Sequence, residues 1–289
     1  MKKTYFYAGV SIFCWSTVAA TCKYLLRDLN NIQLLWMTSL IAALFLLIIN
    51  IAVGNFKKYS NYKLKDYLIM TAEGIPGTFF YYFFYYMGTD ILPASQAFII
   101  NYLWPIMSVV FSCIILKEKM TVKQLIAILI SFIGVIIVVG GDIKEFNGKM
   151  LLGGLFCILG AVSYGVFTAL NQKESYSSTM TLMTSFFATF VLTTLINLIK
   201  GDIFLPNADK MIGLLWNGIF TVAVANSFWI LALEKGKTAK ISNLAYITPF
   251  LSLIWTSVFL GEKITMNSLI GLVVIVAGIF IQMNDKKLN

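Results

Sequence analysis

The sequence predicts an all-α integral membrane protein of ten transmembrane helices, arranged as two inverted five-helix repeats. Three observations carry this prediction. The 289 residues are 59% hydrophobic and only 12% charged, with a mean hydropathy of +0.82; a soluble fold of this length cannot hide so much apolar surface. The stretch Ala94–Thr121 recurs as Thr238–Thr265, displaced by a constant 144 positions. Lysine and arginine, finally, collect in alternate loops.

The ten apolar runs fall at about 4–26, 32–53, 66–88, 94–116, 121–140, 150–171, 179–199, 210–233, 239–260 and 265–283. At a rise of about 1.5 Å per residue, runs of this length cross a bilayer. Lys2 and Lys3 precede a first run that is too long for a signal peptide and lacks a small-residue cleavage site, so it reads as a span. The fifth run closes at Gly140-Gly141-Asp142, and Ile143–Lys149 link the halves, 1–142 and 150–284. With the N-terminus inside, fifteen Lys and Arg lie inside and seven outside, which satisfies the positive-inside rule and places both termini in the cytoplasm. Five spans per half then make the second half enter from the opposite side.

The fourth and ninth spans are the repeat's core. Tyr102 falls on Tyr246, Pro105 on Pro249, Ser108 on Ser252, Leu116 on Leu260 and Glu118-Lys119 on Glu262-Lys263. The same displacement carries Gly134 onto Gly278. Proline has no N–H, so the carbonyl four residues earlier, at Asn101 and at Ala245, loses its helical donor. Inside lipid such a carbonyl must find another partner. Pro105 and Pro249 are therefore expected to break their helices at mid-membrane, where a duplicated transporter would bind its cargo. The alternative is that they only shape packing.

The first span holds Trp15-Ser16 where the sixth holds Tyr164-Gly165; cavity lining and interface packing are both open to Trp15 and Tyr164. In the third span, Glu73-Gly74-Ile75-Pro76-Gly77 loosens the helix before an aromatic run, Phe79–Tyr86. Tyr81 and Tyr85 share one face, and Tyr82 and Tyr86 the next. One face is expected at a cavity, because a tyrosine deep in hydrocarbon would leave its hydroxyl unpaired. Tyr86, near the outer end, is assigned to the interfacial belt. The 144 displacement pairs Glu73-Gly74 with Asn217-Gly218, so the eighth span, with Asn226-Ser227-Phe228-Trp229, is the counterpart. Glu73 is the only acid inside an apolar run, a candidate proton-coupling group, or a surface acid paired near the cytoplasmic end. Lys23 is expected to snorkel.

The composition excludes several classes. Histidine is absent, and Cys14, Cys22, Cys113 and Cys157 are scattered through apolar runs. No zinc site or disulfide framework fits, and no metal, catalytic residue or cofactor is expected. Lipid-modifying enzymes cluster Asp, His or Arg at the interface, whereas Arg27 is the only arginine. No G-x-x-x-x-G-K-[ST] phosphate loop is present. Topology accounts for the net charge of +9, so nucleic acid is not a predicted partner.

Ten spans in two inverted halves, with a fourth and ninth each closing on Glu-Lys, resemble the EamA-type members of the drug/metabolite transporter superfamily. Asn101-Tyr102-Leu103-Trp104-Pro105 is similar to a motif of its bacterial aromatic amino-acid exporter branch. The resemblance implies a basket of ten helices around a cavity lined by spans 1, 3, 4, 6, 8 and 9. It matches Tyr102 and Trp104 to cavity aromatics, and Tyr81 and Tyr85 by their place in the third span. The second copy, Ala245-Tyr246-Ile247-Thr248-Pro249, lacks the asparagine and the tryptophan, so the aromatic weight should lie on the first half.

The candidate binding set is thus Trp15, Tyr81, Tyr85, Asn101, Tyr102, Trp104, Tyr164, Asn226, Asn243 and Tyr246. Rings stack on rings and attract cations, while amides and freed carbonyls bond an ammonium or a carboxylate. The expectation is a secondary exporter of aromatic or other amphipathic amino acids in a bacterial-type inner membrane, as monomer or homodimer. The alternatives are carriage of organic cations or choline-like compounds and, from another class, a lipid enzyme.

Overall fold

A computed structural model describes residues 2–58, 60–140, 148–173, 176–203, 206–235 and 244–283. Among these residues the chain is helical, without strands. Among the described residues seven helices are long and apolar enough to cross a membrane: Lys3–Leu25, Asn31–Ala52, Ala94–Ile115, Val122–Gly140, Gly148–Lys173, Ser178–Lys200 and Ala208–Leu233. Ala245–Leu260 and Met266–Ile281 are shorter apolar helices. The third span, expected at about 66–88, lies within the helical stretch 64–91 but carries Asp66, Glu73 and a run of tyrosines that lower its hydropathy. Leu129, Ile133 and Ile136 on one helix, and Leu195 and Ile199 on another, are exposed, as they must be where the neighbour is lipid. This is a multi-pass membrane protein.

The elements that matter to the site are these. The first span is α1 (Lys2–Ser16) and α2 (Val18–Leu25); α3 (Asn31–Ala52) and a short α4 (Asn55–Lys58) follow. Then come α5 (Leu64–Ile75), a π-helical segment Pro76–Phe80, α6 (Tyr81–Ile91), α7 (Ala94–Asn101), α8 (Trp104–Ile115) and α9 (Val122–Gly140). Beyond lie α10 (Gly148–Lys173), α11 (Ser178–Lys200), α12 (Ala208–Leu215), a second π-helical segment Trp216–Val224, and α13 (Ala225–Lys235). A 3-10 turn Ala245–Ile247 leads into α14 (Thr248–Leu260), and α15 (Met266–Met283) ends the described chain.

Proline chemistry sets three of these boundaries. Pro105 and Pro249 each occupy the first turn of a new helix, α8 and α14, where the missing N–H costs nothing. Pro76 opens the first π-helical segment, and the second covers the positions displaced from it by 144. Such segments are over-represented at functional sites. Every residue of α7 is buried, so this half-helix stands at the centre of the molecule.

Small residues let the helices close on one another. A Cβ at Gly165 of α10 would sit 2.6 Å from the Met107 carbonyl carbon of α8. In the α9–α15 pair, a Cβ at Gly134 would meet the Gly271 carbonyl oxygen at 2.8 Å, and one at Gly278 would meet that of Ala127 at the same distance. Ser131 Oγ donates to the Ile275 carbonyl at 3.2 Å, a contact between residues 144 apart. Tyr86 is not at an interface with headgroups. It is fully buried and accepts from Asn217 Nδ2 at 3.2 Å, because α2 and α3 pack on α6 and the second π-helical segment brings Asn217 against its hydroxyl.

Candidate functional site

Aromatic rings from α1, α6, α7, α8 and α10 meet at the break between α7 and α8. The cavity they enclose is about 60 Å³ and is lined by Trp15 and Val18, Tyr81 and Tyr82, Phe98, Asn101, Tyr102 and Trp104, Tyr164, Asn226 and Thr248. Ring centroids lie 4.9 Å apart for Tyr81–Tyr164 and 5.1 Å for Trp104–Tyr164. Tyr102 adds an edge contact to Trp104 at 6.2 Å, and Trp15 leans on Trp229 at 5.2 Å. These are the edge-to-face and tilted geometries that aromatic quadrupoles favour.

The polar groups are few and specifically held. Asn101 Nδ2 donates to the Tyr81 hydroxyl at 2.9 Å. Its buried Oδ1 has no hydrogen-bond partner among the described residues and lies 3.2 Å from where a Cβ at Gly160 would sit. Asn226 Nδ2 donates to the Val222 carbonyl at 2.7 Å, meeting a carbonyl in the second π-helical segment. The Ala245 carbonyl, which Pro249 deprives of its α-helical donor, accepts from the Thr248 N–H and from the Tyr102 hydroxyl. No charged side chain is among the described lining residues.

Seven of the sequence-selected residues therefore share one cavity: Trp15, Tyr81, Asn101, Tyr102, Trp104, Tyr164 and Asn226. Others are elsewhere. Tyr85, one turn beyond Tyr81, is fully buried against Tyr81, Tyr86 and Phe98 rather than at the cavity wall. Tyr246 packs between Tyr102 and Phe280, with centroids 6.5 and 5.1 Å away. Asn243 lies outside the described residues. Glu73 is half-buried on α5 and does not line the cavity. Sequence reasoning passed over Phe98 and Thr248 as wall residues; Phe98 is one helical turn before Tyr102, and Thr248 precedes the proline, positions that the helix break aims inward.

One end of the cavity region is tied by opposite charges. Lys23 is half-buried, and its Nζ donates to the carbonyls of Thr89, Asp90 and Leu92 at 2.6, 2.9 and 2.8 Å, around the C-terminus of α6. Across the same turn, the Glu262 carboxylate accepts from the Ala94 and Ser95 N–H groups at 2.7 and 3.0 Å and from Ser95 Oγ at 2.7 Å. Each charge thus complements the helix end it touches. Its repeat counterpart, Glu118, is exposed.

Set beside known proteins, the chain has consistent relatives. The profile of the EamA-like transporter family matches residues 2–140 and 151–283. An uncharacterized transporter of Clostridium kluyveri is 25% identical over 299 residues, 99% of this chain and 95% of its own length. An uncharacterized transporter of Archaeoglobus fulgidus is 24% identical, across 97% of this chain and 98% of that one. The aromatic amino acid exporter YddG of Ancylobacter novellus is 24% identical over 182 residues, 62% of this chain and 63% of that protein. A crystal structure shares the fold with a TM-score of 0.70 and 21% identity, over 98% of this chain and 96% of the other.

Proposed function

The chain belongs to the EamA-like transporter family, and from that premise we propose that it exports aromatic or other amphipathic amino acids by alternating access. The observation that carries the substrate class is the cavity wall. It combines edge-to-face and tilted rings with two amides and, among the described residues, no fixed charge, which suits a zwitterion with an apolar ring. Asn101 Oδ1, buried and without a partner among the described residues, is available to an ammonium. The distant relative named as an aromatic amino acid exporter supports the same class.

Alternating access is supported by size. A cavity of about 60 Å³ admits a few waters, whereas small-molecule sites span about 300–1,000 Å³, so the walls must part for a substrate to enter. The proposed scaffold is ten spans in two inverted halves, 1–142 and 150–284, with both termini cytoplasmic in a bacterial-type inner membrane, as monomer or homodimer. Contacts between residues 144 apart support it: Ser131 with Ile275 and Tyr102 with Tyr246. In a self-complementary interface, equivalent positions meet near the symmetry axis.

The second reading is carriage of organic cations, for which aromatic faces also serve. It needs an acid to balance the charge or couple a proton, and Glu73 is the candidate for that role, at a distance from the wall. Counterflow in proteoliposomes separates the two. Vesicles preloaded with unlabelled tryptophan should accumulate labelled tryptophan through the wild type, and a well-folded Trp104→Ala should lose most of that uptake. Accumulation of choline without tryptophan would overturn the amino-acid reading and make Glu73→Gln the next variant.

A further inference from the structure

A second and larger concavity lies away from the central cavity, on the lipid side of α1, α2, α12 and α14. It is a groove of about 640 Å³, with walls of Phe13, Trp216, Trp255, Phe259 and Leu260 and a floor at Ala20 and Gly213. Phe13 is 46% and Phe259 68% exposed, so the groove opens sideways. Its indole nitrogens are already spent: Trp216 Nε1 donates to Thr17 Oγ1 at 2.9 Å and Trp255 Nε1 to Ser16 Oγ at 2.8 Å. Ring faces are what remain for an occupant. From Phe13 to Tyr24 the groove follows eleven residues of helix, about 16 Å at 1.5 Å per residue, which is half of a hydrocarbon core about 30 Å thick.

The Tyr24 end is polar and its charges are unequally available. Tyr24 donates to Asp209 Oδ2 at 3.1 Å, and Lys210 Nζ lies 3.6 Å from the Tyr24 ring centroid. Lys210 is bound to Asp28 at 2.6 Å and stands 3.9 Å from Asp209, with its side chain 10% exposed against about 60% for the two acids. The cation is consumed internally, and carboxylate oxygens face outward. Arg27, exposed in the next position before Asp28, supplies a positive charge beside them.

We propose that this groove is a lipid site, holding one acyl chain of a phospholipid of the phosphatidylethanolamine class. Depth, side opening and apolar walls fit a single tail in one leaflet. The exposed carboxylates of Asp209 and Asp28 take the headgroup ammonium, which donates hydrogen bonds that a choline headgroup lacks, and Arg27 takes the phosphate. An anionic glycerol headgroup would place no cation against the two acids.

Native mass spectrometry of the intact protein, released from detergent containing equal amounts of phosphatidylethanolamine, phosphatidylcholine and phosphatidylglycerol, tests this. The wild type should retain a single lipid, with the ethanolamine species favoured over the glycerol species by up to about fivefold, the upper end for one exposed ion pair. Over the choline species, which lacks the N–H donors, the margin should be smaller. Thr21→Trp, which fills the groove from its open side, should lose that adduct. Asp209→Asn should keep the adduct and lose the headgroup preference, so the test stands even if the tryptophan variant does not fold. Retention without headgroup preference in the wild type, an unchanged adduct in folded Thr21→Trp, or an unchanged preference in Asp209→Asn would each overturn the proposal. None of these readouts depends on which substrate is transported.

Discussion

Tyr102 and Ala245 belong to different copies of the repeated sequence, yet the hydroxyl of one meets the carbonyl of the other. The need was legible in the sequence: Pro249 takes the α-helical donor from Ala245, and lipid cannot replace it. The donor was not legible, because nothing in one copy says which side chain of the other will arrive. Tyr102→Phe keeps the ring and removes the bond. It should lower stability by about 1 kcal/mol, the net worth of one hydrogen bond with the carbonyl still held by Thr248. Thermal unfolding in detergent would show this as a small drop in midpoint, and no drop would mean the contact is only proximity. Tyr85 teaches the opposite lesson. Helical spacing places it on the face of Tyr81, but one turn along the helix is enough to leave the cavity and enter the packing around Phe98.

At the scale of the element, the turn between α6 and α7 is held by Lys23 and Glu262, residues 239 positions apart in sequence. The repeat identified Glu262 as a notable position without revealing its task, since capping a distant helix leaves no local pattern. Glu262→Gln retains one oxygen acceptor and loses the charge. The lost charge-assisted bonds to α7 should cost about 1.5–3 kcal/mol, measurable as a lowered unfolding midpoint; an unchanged midpoint would deny the clamp its role. Close helix packing was easier to foresee, because small residues at Gly160, Ala161 and Gly165 announce it. Gly165→Ala would drive a Cβ to 2.6 Å from the Met107 backbone. Overpacking of this kind costs about 1–3 kcal/mol, and backbone cannot rotate away as a side chain can. The expected result is reduced yield of folded protein by size-exclusion chromatography, with Gly9→Ala, at an open position, as the unaffected control.

At the scale of the whole molecule, composition and repetition made the membrane class and the location of the cavity readable. The closed size of that cavity was not readable, nor was the lateral groove, since both depend on how far apart helices stand rather than on which residues they carry. Orientation is argued from charge alone and can be tested directly. In a background with Cys14, Cys22, Cys113 and Cys157 changed to alanine, Lys3→Cys should resist a membrane-impermeant thiol reagent in intact cells, and Lys200→Cys should react. The reverse pattern would invert the topology while leaving the cavity as described.

The complete burial of α7 has a mechanical consequence. A bilayer thinner or thicker than the protein's own apolar height acts only on surfaces that touch it, by tilting or bending them. The half-helix that carries Asn101 to the cavity touches none. Mismatch must then be absorbed by the rim, in helices such as α9 and α11 with their exposed leucines and isoleucines, while α7 keeps its place from one host membrane to another.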